Sequence, residues 1–204
     1  MAKNRGRGGK TPNAAAAYSS KPRPSRWGTV LWVLLALGAA WGLYLALQIR
    51  QSGSNFNGLL PQGQAALSKV QTGTDAGRGH SAPGQALSYA ADPPTSGTHS
   101  PQWVDAGFYQ SPQARERLVH SLEHGNVVIY YDQPGREALD TLRAWAGQFR
   151  GQWDGVVVVP RSGIGPTVEL TAWNKTLRLE SWDAAAAAAF VDAYRGRGPE
   201  NPVR

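Results

Sequence analysis

The chain has four histidines, His80, His99, His120 and His124, all within one short stretch. The last two frame the pentad His120-Ser121-Leu122-Glu123-His124. Imidazole is the commonest metal-binding side chain, and it titrates near neutral pH unaided. On a helix, the i,i+4 spacing of His120 and His124 puts both rings on one face, where two nitrogens can share an ion. His99, on a loop rich in Pro and Gly, is a candidate third ligand. His80 is a candidate fourth ligand or an outer donor. Glu123 has three candidate roles: ligand, partner fixing a ring tautomer, or general base. With no cysteine in the chain, a metal would be held by nitrogen and oxygen alone. That donor set suits zinc or copper, and also Ni²⁺ or Fe²⁺.

The pentad also fits H-x-x-E-H, the inverted zincin pattern, with two histidine ligands and Glu123 activating a zinc-bound water. Such a site needs a longer helix and a downstream carboxylate on a second helix, whereas here Gly125 and an apolar run follow at once. There is no G-x-S-x-G elbow. Ser96, His99 and Asp92 lie on one local loop, which rarely builds a triad. Gly163-Ile164-Gly165-Pro166 reads as a turn, because no helix follows to receive a phosphate. The competing reading is structural. Histidines near a helix end often cap carbonyls or favour the helix dipole, and Glu123 would then pair with Arg115 or Arg117 at the surface.

Pro112 to Leu122 reads as a helix leading into this pair, with Ser111 as cap and Pro112 at the first helical position. Gly125 ends it. Val127 to Tyr131 is an apolar, β-branched and aromatic run, hence a buried strand. Leu139, Leu142, Trp145, Ala146 and Phe149 recur at helical spacing and predict a helix from about 135 to 149. Val156 to Val159 is a second strand. Val168 to Trp173 and Thr176 to Glu180 form a hairpin about Asn174-Lys175. Ser181 or Asp183 caps a last helix running to about Tyr194. The order β-α-β-β-β-α argues for an α/β (α+β) domain, one mixed sheet with helices mostly on one face. The order also suits a thioredoxin-like half, in topology only, since the cysteine motif is missing.

The net charge of +7 is confined to one end: seven basic residues and no acid precede residue 27. The rest of the chain balances its 14 acidic residues with as many basic ones. From Trp27 to Ile49 no residue is charged. At about 1.5 Å per residue this stretch spans a hydrocarbon core of about 30 Å. Trp27, Trp41 and Tyr44 lie toward its ends, as interfacial aromatics do. It exceeds the apolar region of a cleaved signal peptide, and no clear cleavage site follows it. The reading is therefore a single-pass anchor in the cell membrane, with residues 1–26 cytoplasmic and the remainder outside. The basic tail is interleaved with Gly and Pro rather than aromatics, which argues against nucleic acid as a partner and suits anionic headgroups. The domain organisation expected is thus 1–26 disordered tail, 27–49 transmembrane helix, 50–78 flexible linker with a short helix near 63–70, and 79–204 extracytoplasmic domain.

Three stretches carry a family resemblance. They are Pro93-Pro94-Thr95-Ser96-Gly97-Thr98-His99, then Gly107-Phe108-Tyr109, then Val119 through Tyr131 with the histidine pentad. With Leu170-Thr171-Ala172-Trp173 and the closing Gly198-Pro199-Glu200, they resemble the bacterial domain-of-unknown-function family 3105 over about residues 79–204. Thr98 stands where the family pattern has proline. The resemblance implies a membrane anchor with an exported domain, and a signature including His99, His120, Glu123, His124 and His80. It implies no particular reaction. Three functions remain open: transition-metal binding in metal handling or envelope maintenance, a zinc-dependent hydrolase using Glu123 as its catalytic base, and a metal-free module that docks an envelope protein.

Overall fold

The computed structural model describes residues 26–82 and 84–204, so the basic tail lies outside the described residues but for Arg26. The chain divides into two units, Met1–Gly42 and Leu43–Arg204. Helix α1 (Arg26–Gly63) carries the apolar stretch Gly28–Leu45, whose side chains are exposed. It is long and apolar enough to cross a membrane.

A 3-10 turn (Gln64–Lys69) and a short strand β1 (Gln71–Thr72) follow α1. After a long irregular stretch come β2 (Gly107–Phe108), α2 (Arg115–His124), β3 (Val127–Tyr131) and α3 (Arg136–Gln148). The chain closes with β4 (Val156–Pro160), β5 (Val168–Ala172), β6 (Lys175–Leu179) and α4 (Ala184–Tyr194). The second half thus has the order expected, β-α-β-β-β-α. The six strands form one mixed sheet in the order β1-β6-β5-β3-β4-β2. Strand β3 lies between a parallel neighbour, β4, and an antiparallel one, β5.

Every residue of β3 is buried, because both sheet faces are covered. Alternation along the strand assigns the faces. Val127 and Ile129 point with Val156 and Val158 into the larger core, against Trp145 of α3, Phe190 of α4 and Phe56 of α1. Val128 and Tyr130 point with Val157 and Val159 the other way, against Leu118 and Leu122 of α2. Three helical segments therefore share one face, and α2 has the other.

Local departures from expectation have physical reasons. Helix α2 begins at Arg115 rather than Pro112, after an extended Ala114, and its first turn has no side-chain cap. The β5–β6 turn falls at Trp173-Asn174, one residue earlier than expected, because Asn174 takes the left-handed conformation at φ 57°. Of the two expected caps on α4, Asp183 serves, accepting from the Ala186 amide at 2.9 Å.

The composition of residues 50–78 suggested a tether, and here the structure requires a correction. Phe56 is 3% exposed and meets Trp145 and Phe149 edge-on, with ring centroids 5.2 and 4.9 Å apart. Gly63 lies so close to α4 that a Cβ there would collide with the Ala185 carbonyl. Gln71 and Thr72 pair with Thr176 and Lys175. A few apolar residues among Gly, Ser and Gln are enough to dock this segment, and the folded unit starts well before residue 79. Phe56→Ala is therefore expected to cost about 3–5 kcal/mol, seen as a lower urea midpoint of the full chain in detergent. An unchanged midpoint would restore the tether.

Candidate metal centre

Helix α2 is amphipathic in an unusual sense. Leu118 and Leu122 face the sheet, while His120, Glu123 and His124 lie on the adjoining face at i, i+3 and i+4. That polar face is also buried, because three separate segments lie over it.

The first segment is Ser100–Val104. The Ser100 amide donates to the Glu116 carbonyl at 3.2 Å. Ser121 Oγ donates to the Val104 carbonyl at 2.8 Å and accepts from the Val104 amide at 3.0 Å. The second is Gly79–Ser81, held beside His99 by an isolated parallel bridge between His80 and His99. The His99 amide donates to Gly79 O at 2.8 Å, and the Ser81 amide to His99 O at 2.7 Å. The third is the closing stretch of the chain. Gly196 N donates to Gly125 O at 2.8 Å and Glu200 N to Glu123 O at 3.3 Å. Two glycines permit this approach. Gly125 ends α2 at φ 101°, and Gly198 sits where a Cβ would collide with the Glu123 carbonyl and the Gly125 backbone.

The segments bring all four imidazoles together. The ring centroids of His80, His99 and His120 lie 4.9–5.0 Å apart pairwise, and those of His120 and His124 lie 4.6 Å apart. The donor atoms form two overlapping groups, one of His80, His99, His120 and Glu123, the other of His120, His124 and Glu200. Within each group the donors lie within 4.8 Å of one another. A single centre shared by His99, His120 and His124 is thus not the grouping formed. His99 and His124 fall in different groups, joined by His120.

Hydrogen bonds identify the free nitrogens. His99 Nδ1 lies 2.8 Å from Gly97 O, and His120 Nδ1 lies 2.7 Å from Ser100 O. A carbonyl oxygen only accepts, so each Nδ1 carries a proton. In the neutral ring, Nε2 then offers a lone pair. His99 Nε2 is buried and forms no hydrogen bond, yet it faces Glu123 Oε2 at 3.0 Å. A lone pair against a carboxylate repels unless positive charge comes between them, either as a proton or as a cation. On the other side, Glu200 Oε2 lies 3.2 Å from His124 Nε2 and 3.9 Å from His120 Nε2.

Burial pushes the His120 and His124 imidazoles below the ordinary histidine range. The hydrogen bond to Ser100 opposes this at His120, while His99 and His80 reinforce it. At His124, His120 reinforces it and Glu200 opposes it. The rings are held neutral, the form that ligates metals. Glu123 is buried beside His99, so neither Arg115 nor Arg117 takes it to the surface. Ser96 Oγ donates to Thr74 O and accepts from the Ala76 amide, and Asp92 is ion-paired with Arg115 and Arg161. These two residues are therefore occupied away from His99.

Glu200 is the site carboxylate that spacing did not single out. Its only signal was its place in the closing Gly198-Pro199-Glu200. Trp103 and Trp153 also flank His124, with centroids 4.8 and 4.3 Å away, and nothing in their spacing marked them.

A mixed α/β domain carrying a largely buried histidine–carboxylate cluster, with His80 and Glu200 at its exposed edges, is thus the class of protein defined. The chain belongs to the family described as protein of unknown function (DUF3105), whose pattern matches residues 80–204. That span begins at one donor, His80, and includes all the others. No curated protein and no solved structure matches the chain.

The depressed histidines have a consequence for stability. The unfolded chain, with ordinary histidines near 6.5, binds more protons than the folded chain just below that pH. In metal-free protein, stability should therefore fall as pH drops through about 6.5, and level off once the folded rings protonate. Melting temperature against pH checks this, and His124→Gln is expected to flatten the slope.

Proposed function

We propose that this protein is a membrane-anchored domain outside the cytoplasm that binds a transition-metal ion, zinc or copper, through His80, His99, His120 and Glu123. The observation that carries the reading is His99 Nε2, buried without a hydrogen bond and 3.0 Å from a buried carboxylate oxygen with two more imidazoles nearby. Three imidazoles and one carboxylate form a donor set suited to Zn²⁺ or Cu²⁺. Their Nδ1 bonds to backbone carbonyls, at His99 and His120, are the outer contacts that orient metal-bound histidines. His124 belongs to the same cluster through His120. The biological role that follows is metal handling or envelope maintenance.

Glu123 is a ligand in this reading. The hydrolase alternative requires it as general base for an ion on His120 and His124, but its carboxylate is turned toward His99. The metal-free alternative, a module docking an envelope partner, requires the cluster to be closed by protons alone. The strand order β6-β5-β3-β4 is compatible with a thioredoxin-like half, as topology without redox chemistry.

For location, the reading uses Trp27–Ile49 in the bilayer and the basic residues before it in the cytoplasm. It assigns no nucleic-acid partner to the tail.

Two measurements test the proposal. Adding Zn²⁺ or Cu²⁺ to the full chain in detergent should raise its melting temperature, by an amount that grows with free ion. His99→Ala should weaken binding by more than the 10–100-fold typical of losing an outer partner. A melting temperature indifferent to both ions would favour the metal-free module. For orientation, the absence of native cysteine makes single-cysteine labelling clean. Ser181→Cys, at an exposed position, should react with a membrane-impermeant maleimide in intact cells, and Ser20→Cys should not. The reverse pattern would invert the topology.

A further inference from the structure

The two donor groups share His120, and that sharing has a chemical consequence. Its Nδ1 is committed to the Ser100 carbonyl at 2.7 Å, so the ring has only Nε2 to give. One lone pair serves one ion. An imidazole bridges two ions only when both nitrogens are free, which this backbone bond prevents. The groups therefore cannot both be complete at once. They are two positions for a single ion.

The positions differ in donor count, while each has one exposed member, His80 in the first and Glu200 in the second, among otherwise buried donors. His80, His99, His120 and Glu123 supply four donors, enough for a closed tetrahedral shell. His99 is 0% and Glu123 6% exposed. His120, His124 and Glu200 supply three donors, leaving a coordination position open to exchange. The Glu200 side chain is 41% exposed, on a closing stretch tied to α2 chiefly by backbone bonds. His120 stands between them, its ring 4.9 Å from His99 and 4.6 Å from His124.

Resting on the metal-binding reading above, we propose that the cluster is a two-station relay. An ion is captured at His124 and Glu200 and passed by His120 Nε2 to His99 and Glu123, and it leaves by the same route. The chemistry fits a transition-metal ion delivered by or to another carrier, since an open three-donor station can accept a ligand from a partner. Metal–ligand bonds form and break, a proton from solvent takes the ion's place between His99 and Glu123 when that station is empty and leaves when the ion arrives, and the ion keeps its oxidation state.

The test uses the full chain in detergent with Zn²⁺ as probe. Equilibrium binding should saturate at one ion per chain. Release into excess chromophoric chelator, and uptake from a zinc buffer, are then followed by stopped flow. Glu200→Gln should slow release as well as uptake, each by about tenfold, because an intermediate station eases passage in both directions. His124→Gln should do the same. If Glu200 is merely a ligand of the resting ion, its removal speeds release, which overturns the relay. Rates indifferent to Glu200 but altered in His80→Ala also overturn it, by showing entry past His80. Two ions bound together with similar affinity overturn the shared-ligand argument. A wild-type chain that binds no zinc or copper removes the metal-binding reading as well, whereas the other three outcomes leave that reading standing. Glu200 is partly exposed, and a melting curve of each variant confirms that it is folded.

Discussion

Helix α2 is held on two sides, and the rest of the site depends on that clamp. Leu118 and Leu122 anchor one side to the sheet. On the other side, Ser121 receives and returns hydrogen bonds from Val104, closing a loop over a face that would otherwise be wet. Covering a polar face with backbone is costly unless its groups find partners. Here the covering segments supply them. Ser100 O accepts from His120, and Gly97 O faces His99 Nδ1. The loops that bury the imidazoles are the same loops that orient them.

The clamp leaves one debt unsettled. Four imidazoles and two carboxylates crowd together, and depressed proton affinity at His120 and His124 keeps positive charge off those rings. The carboxylate of Glu123 then faces His99 with no guanidinium or ammonium among the described contacts to balance it. Elsewhere the domain balances buried acids in the ordinary way: Glu169 is met by Arg161 and Arg178. The contrast within one molecule is informative. Where the structure needs only stability, it uses arginine. In the histidine cluster no arginine takes that part among the described contacts.

Much of this was legible in the sequence, and the reasons for success and failure differ by residue. Strand β3 could be read because five apolar, β-branched or aromatic residues in a row have few other uses. The α3 periodicity and the Asp183 cap were local signals that the structure repeats. The histidines could be grouped because they are few and close in sequence. What could not be read was which histidine meets which. That depends on the Ser100–Val104 loop crossing α2 and on the tail returning beneath it, and neither leaves a periodic trace. Glu200 lies far from the pentad in sequence, and only tertiary folding joins them. Phe56 failed for the opposite reason: a single aromatic among polar residues carries too little pattern to announce a docking contact.

The positions of the outermost donors link the site to the integrity of the domain. His80 stands at the first residue matched by the family pattern, and Glu200 lies near its end. Neither can approach α2 unless the intervening sheet has formed, since β3 joins the α2 layer to the layer of α3 and α4. An ion held by the cluster in the native chain alone would therefore stabilise the whole fold rather than one loop. The same logic extends to the segment before His80. Phe56 fills the core between Trp145 and Phe149, and β1 pairs with β6, so a fragment cut at residue 79 would lose part of the sheet and expose the core beneath it. A metal-free result on such a fragment would report a damaged fold, not an inert site. The packed core thus includes Phe56, and the cluster lies where the closing stretch of the chain returns to the end of α2.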